Sequence, residues 1–301
     1  MDTLIVTGAS RSIGAAVARL AAKQYSIAVN YARDEAAAAE VVRQITATGG
    51  RAVAIQADVS VEEDVMRLFM EAEKQLGPVR ALVNNAGITG GFSRAEAITS
   101  ETLVRVFAVN VNGTILCSRE AVRRMSTRNG GSGGTIVNVS SRASEIGGAG
   151  EWVHYAASKG AIDSFTIGLA REVVTEGIRV NAVSPGLIST ELHAAAGAPD
   201  RLERMAPMIP MKRAGTAEEV AKGIMWLLSP AAAYVTGVIL PISGGDSRSR
   251  NRSIMNWTTG NSSRSRAESL DRDALRLRRM DEIRPCIVPA GDLDQVKEFS
   301  R

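Results

Sequence analysis

Tyr155 and Lys159, in the run Tyr155-Ala156-Ala157-Ser158-Lys159, and the upstream pair Ser140-Ser141 are the residues whose types can do chemistry together. Carbonyl reduction needs a hydride donor and a proton donor that meets the developing alkoxide. A phenol supplies that proton, and its phenolate takes one back during alcohol oxidation. An unperturbed phenol has a pKa near 10, so only ~0.1% is ionised at pH 7. A cation one helical turn away favours the phenolate, and Lys159 falls on the same face as Tyr155. Ser141 is placed to orient a substrate oxygen and share the charge that develops on it. Ser140 is the fallback. His154 reads as a pocket-rim or helix-start residue, because the tyrosine already does the proton work.

A second constellation opens the chain: Thr7-Gly8-Ala9-Ser10-Arg11-Ser12-Ile13-Gly14. A pyrophosphate is held where free N–H groups and the helix dipole favour negative charge. Gly8 permits a tight turn after a strand, and Gly14 lets the following helix pack closely on the sheet. Ser12 stands at the position where a glycine would let the backbone approach a dinucleotide. At the end of the next strand the run is Asn30-Tyr31-Ala32-Arg33, with no acid before Asp34. A carboxylate there would bind a ribose 2′-hydroxyl and repel a 2′-phosphate. Arg11 and Arg33 are instead suited to a 2′-phosphate, so NADP(H) is the expected preference, with NAD(H) as the alternative.

Positioning these residues takes alternating strands and helices. Apolar runs at Thr3–Val6, Ile27–Tyr31, Ala52–Gln56, Leu82–Val83, Thr135–Val139, Ile178–Val183 and Val238–Ile242 read as seven strands. Helical patterns fall at Ala15–Ala22, Glu35–Thr46, Val61–Gln75, Leu103–Met125, Tyr155–Glu176 and Glu218–Leu228, the fourth broken or capped near Asn110–Gly113. That alternation predicts a parallel sheet in one doubly wound, Rossmann-like α/β domain over residues 1–246. The stretch from Leu187 to Arg213, with Pro199, Pro207 and Pro210, is where a substrate lid belongs. Its Met205, Met208 and Met211 could line a pocket, with packing against the core as the expected fate.

The net charge of +4 belongs to the C-terminal extension. Residues 247–301 hold 12 Lys/Arg and 8 Asp/Glu, leaving 24 of each in residues 1–246. The Ser/Arg-rich extension predicts disorder, with a weak helix at Ser269–Ile283. Its interspersed acids and lack of interleaved aromatics argue against a nucleic-acid arm. Two cysteines, Cys117 and Cys286, and two histidines, His154 and His193, offer neither a disulfide framework nor metal-ligand spacing. No apolar run reaches the roughly 20 residues that span a bilayer. The first strand begins at Thr3, so no leader and a cytoplasmic location are expected.

The glycine loop, an Asn84-Asn85-Ala86-Gly87 tetrad and the Ser-Tyr-Lys set, in this order, resemble the short-chain dehydrogenase/reductase family from residue 3 to about 245. The likeness extends to members labelled glucose-1-dehydrogenase or 3-oxoacyl-carrier-protein reductase. It implies an NAD(P)-dependent oxidoreductase interconverting a small-molecule carbonyl and a secondary alcohol. It further implies a catalytic set of Asn110, Ser141, Tyr155 and Lys159, with Asn112 as the rival to Asn110. Asn110 would hold a helix irregularity, and Lys159 would also hold the nicotinamide ribose. The nucleotide would lie along Gly8, Ser10, Arg11, Ile13 and Gly14, then Tyr31 and Arg33. Asp58 and Val59 would take its adenine, and Asn84, Asn85, Ala86 and Gly87 would border a ribose. Pro185 and Gly186 would open the loop that meets the nicotinamide amide, Ile188 through its backbone and Thr190 at the amide or the pyrophosphate. A homotetramer is the implied assembly, with a dimer second. A cofactor-binding scaffold with little turnover is the reading from another class, and Ser12 is its support.

Overall fold

The computed structural model describes residues 1–190, 198 and 200–246. The extension from 247 onward, its expected helix, and His193 and Pro199 of the expected lid lie outside the described residues.

Seven strands form one parallel sheet. They are β1 (Thr3–Val6), β2 (Ser26–Tyr31), β3 (Ala52–Gln56), β4 (Val79–Asn84), β5 (Gly134–Val139), β6 (Ile178–Pro185) and β7 (Ile239–Ile242). Their spatial order is β3-β2-β1-β4-β5-β6-β7. Successive residues of a strand face opposite sides, and both sides are covered here, so the strands are apolar throughout. Leu4 and Val6 of β1 pack into one core layer and Ile5 into the other. The first layer is closed by α1 (Ser12–Ala21), α2 (Glu35–Ala47) and α9 (Ala217–Leu228). The second is closed by α3 (Glu62–Leu76), α5 (Gly113–Met125) and α7 (Val153–Val173). This is a doubly wound, Rossmann-like single domain.

Local chemistry sets the helix ends. The Asp34 carboxylate accepts from Ala37 N and starts α2. Thr216 and Glu219 close a reciprocal capping box at the start of α9. The expected helix Leu103–Met125 is two helices, α4 (Ser100–Phe107) and α5, joined by a π-turn over Ala108–Asn112. Helix α7 begins two residues before Tyr155 and stops at Val173. A 3-10 turn, Val174–Glu176, then leads to Gly177 at φ 77°. Strand β4 begins at Val79, earlier than its apolar signal, because parallel pairing continues back to Thr3 of β1. Two short helices carry no periodic pattern: α6 (Ala143–Ile146) and α8 (Arg201–Met205).

Gly14 stands where α1 crosses the end of β1. A Cβ there would lie 2.5 Å from Gly8 O, 2.5 Å from Asn85 Nδ2 and 2.9 Å from Ala9 Cα. Two of those atoms are backbone, so the clash cannot be relieved by a rotamer change. Gly14→Ala should therefore cost about 1–3 kcal/mol, read as a lower urea midpoint with an unchanged slope.

Candidate active site

The strand ends are tied by side-chain amides and one hydroxyl. Thr7 Oγ1 accepts from Asn85 N and Ala86 N, each at 3.0 Å. Asn85 Nδ2 donates to Thr7 O and Gly8 O, each at 2.9 Å. Asn30 Oδ1 accepts from Gly8 N at 3.1 Å, while its Nδ2 donates to Ala57 O at 3.0 Å. The carboxyl ends of β1, β2, β3 and β4 thus share one polar lattice. Asn30 was read from the sequence only as a non-acid, although a polar side chain inside an apolar strand run marks such a staple. Asn84 belongs to a different network. Its Nδ2 donates to Ser118 Oγ and Asn138 Oδ1, each at 2.9 Å. It does not line the cavity, which corrects its expected nucleotide contact. Gly14 is likewise a packing residue behind the loop.

Between these strand ends lies a cavity of about 1270 Å³. That exceeds the ~300–1,000 Å³ of typical single-ligand pockets. One arm is lined by Gly8, Ser10, Arg11, Ser12, Ile13, Tyr31, Arg33, Asp58 and Val59. Asn85, Ala86 and Gly87 form its middle, and Pro185, Gly186, Ile188 and Thr190 its far wall. Arg33 is exposed at the rim. Arg11 Nη2 is paired with Asp34 Oδ2 at 2.6 Å, so its charge is shared with a carboxylate. Asp58 Oδ1 accepts from Ser60 N at 3.0 Å and Ser60 Oγ at 2.7 Å. Ser12 sits at φ 50°, a left-handed conformation that suits glycine.

The other arm holds Ser140, Ser141, Tyr155 and Lys159. Ser141, not Ser140, is the serine that lies beside the Tyr155 phenol and pulls its pKa down, and Ala143 N donates to Ser141 Oγ at 3.1 Å. Ser140 Oγ faces the Lys159 carbonyl at 3.4 Å. Lys159 Nζ donates to Val139 O at 2.7 Å and lies 5.6 Å from the Tyr155 ring centroid. Asn110 is buried in the π-turn. Its Oδ1 accepts from Ile88 N at 2.8 Å, and its Nδ2 donates to Ile88 O at 2.9 Å and Ser158 Oγ at 3.0 Å. The rival, Asn112, is exposed. A Cβ on Gly87 would lie 3.3 Å from Asn110 Oδ1 and 3.5 Å from Lys159 Nζ, so its absence keeps the approach to that lysine open. His154 is buried, with Nε2 donating to Thr89 O at 2.8 Å. Met205 and Met208 line this arm. Met208 and Met211 are about two-thirds exposed rather than packed in the core. The sequence reading missed Arg142, which lines the cavity beside Ser141, with Nη1 2.5 Å from Glu145.

A family model described as enoyl-(acyl carrier protein) reductase matches residues 8–247. An uncharacterised oxidoreductase of Escherichia coli, YgfF, is 52% identical over 81% of this chain and all of its own length. The chain belongs to the short-chain dehydrogenase/reductase family. Glucose 1-dehydrogenase 2 of Bacillus subtilis is 38% identical over 81% of this chain and 93% of its own. A solved dehydrogenase/reductase from Sinorhizobium meliloti superposes with a TM-score of 0.75 at 34% identity, covering 81% of this chain and 94% of its own. Membership of this family makes the protein an NAD(P)-dependent oxidoreductase, and the crevice, at about 1270 Å³, has the size to take such a nucleotide. Among the described residues no helix is long and apolar enough to cross a membrane, and no His/Cys/Asp/Glu group could hold a metal ion.

Burial dominates the titration of the pair. It pushes the Tyr155 phenol up to about 12, against the pull of Ser141. It pushes the Lys159 ammonium down to about 8, with Asp163 opposing. The expected lowering of Tyr155 by Lys159 is opposed by this burial, with Nζ held by the Val139 carbonyl and 5.6 Å from the Tyr155 ring centroid. Between pH 8 and 10.5 the unfolded chain binds more protons at residue 159 than the folded one. This lysine therefore contributes stability that grows as pH rises through that window. Urea unfolding of the wild type and Lys159→Met across the window should show their difference moving in the wild type's favour. A flat difference contradicts the burial argument.

Proposed function

We propose that this oxidoreductase interconverts a small-molecule carbonyl and a secondary alcohol, with Tyr155 as the acid and base. Ser141 and Tyr155, side by side in a cavity whose other arm suits a dinucleotide, carry the reading. When bound, the nicotinamide supplies or accepts the hydride. Tyr155 Oη donates the proton to the carbonyl oxygen in reduction, and Ser141 Oγ holds that oxygen against it. Lys159 and Asn110 flank Gly87. There the lysine can hold a ribose hydroxyl and bring its charge towards the phenol, while Asn110 fixes the π-turn behind it. The Tyr-x-x-x-Lys spacing supports carbonyl rather than enoyl chemistry, whatever the description of the matching family model.

NADP(H) is the preferred nucleotide in this reading. Arg33 supports it, exposed at the rim with no ion pair among the described residues. Asp34 supports the second reading, NAD(H), because its carboxylate also lines this arm. Exposed apolar side chains on α4, α5 and α7, including Val104, Ile115 and Ile167, support assembly with further copies of the chain, as a homotetramer or a dimer. A cytoplasmic location completes the proposal.

Two measurements test it. Fluorescence titration should show NADPH binding more tightly than NADH, and Arg33→Ala should weaken NADPH selectively, by about tenfold. Equal weakening of both nucleotides, or no change, would remove Arg33 from the reading. Tyr155→Phe should retain NADPH affinity while carbonyl reduction falls about 10²–10⁴-fold. Undiminished turnover in that variant contradicts the assignment of the proton donor.

A further inference from the structure

The outer wall of the catalytic arm is assembled from three separate segments. Phe92 follows β4, Glu151 and Trp152 precede α7, and Arg201 opens α8. The rings of Phe92 and Trp152 stack with centroids 4.6 Å apart, and Trp152 lies 5.7 Å from the Tyr155 ring. The Arg201 guanidinium sits 4.8 Å from the Trp152 centroid and 5.8 Å from that of Phe92. Its Nη1 donates to the Glu151 carboxylate. Ser93 N donates to Glu151 O at 2.7 Å, tying the first two segments through the backbone. Arg201 is 8% exposed, and its Nε is buried with no hydrogen-bond partner. The guanidinium is therefore dehydrated between aromatic faces and one carboxylate, where cation–π attraction is strongest.

Backbone bonds within each segment, among them Trp152 N to Gly148 O at 3.0 Å and Arg201 N to Ala198 O at 3.2 Å, shape the segments singly, whereas Arg201 joins them. The segment leading to Glu151 contains Gly147, Gly148 and Gly150, all at positive φ. Helix α8 has five residues, too few to hold its shape by its own hydrogen bonds. Met205, Met208 and Ile209, which follow Arg201, line the same cavity. Whatever holds Arg201 thus places those side chains and the Trp152 ring beside Tyr155.

We propose that Arg201 is a positioning residue that, held by Glu151, Trp152 and Phe92, fixes the substrate-facing wall and thereby sets carbonyl affinity without contributing to nucleotide binding. The kinetic half rests on the carbonyl–alcohol reading given above. The structural half stands without it.

Arg201→Met, which keeps the apolar stem, Arg201→Lys, which keeps the charge, and Glu151→Gln test the proposal in the full chain. Hydrogen exchange should be about tenfold faster over residues 201–208 in Arg201→Met and Glu151→Gln and unchanged over α1. Unchanged exchange in 201–208 overturns the proposal even if no carbonyl is turned over. With a carbonyl that the wild type reduces, Arg201→Met should raise KM about tenfold, with kcat within about threefold and NADPH affinity unchanged. Arg201→Lys should recover part of that loss. An unchanged KM, or equal losses of carbonyl and nucleotide affinity, overturns it. Failure of Tyr155→Phe to lose activity would sink the proton-donor assignment while leaving the exchange result to decide the role of Arg201.

Discussion

The parting of β1 and β4 is the constraint on which the site depends. The chain leaves β1 towards α1 on one face of the sheet and leaves β4 towards α4 and α5 on the other. A crevice must open between their carboxyl ends, and ligands of doubly wound sheets lie in such crevices. Opening it exposes backbone groups that the sheet no longer pairs. Thr7 and Asn85 satisfy them across the gap, and Asn30 does the same towards β3. The crevice is thus held at a set width by the Asn30 and Asn85 amides and the Thr7 hydroxyl, which is the pre-organisation a binding site requires.

The catalytic pair depends on the same scaffold from the other side. Helix α7 presents Tyr155 and Lys159 on one face, and the π-turn at Asn110 brings a buried amide to Ser158 between them. Burial drives both groups towards their neutral forms. A phenol kept protonated at neutral pH is the correct form for donating a proton to an alkoxide. The lysine, whose charge burial makes costly, needs an anionic or polar partner to keep it, and Gly87 leaves its approach open. Stability and chemistry therefore pull in opposite directions at residue 159, as is common for buried functional groups.

Much of this was legible in the chain. Valine, isoleucine and alanine runs separated by helical patterns mark a sheet buried on both faces, and six of the seven strands lie within two residues of their apolar signals. The break near Asn110 was visible because two asparagines and a glycine interrupt a helical pattern. Strand β4 was clipped because Arg80 breaks its apolar run, and only pairing with β1 reveals Val79 as its start. Asn84 was misread because two adjacent amides look equivalent in sequence, whereas strand alternation sends one into the core and the other to the crevice. Arg142 and Arg201 carried no signal. Each acquires its role from partners in other segments or from a cavity that no local pattern encodes. The left-handed backbone at Ser12 was equally invisible, though the residue's placement in the glycine loop drew attention to it.

A crystal structure of the protein grown with NADPH tests the central claim most directly. The account expects the pyrophosphate along the Gly8–Ile13 loop and the nicotinamide between Pro185 and Tyr155, its reactive face turned to the Ser141 and Tyr155 hydroxyls. A nucleotide bound outside the crevice, or one whose nicotinamide lies away from Tyr155, would contradict it.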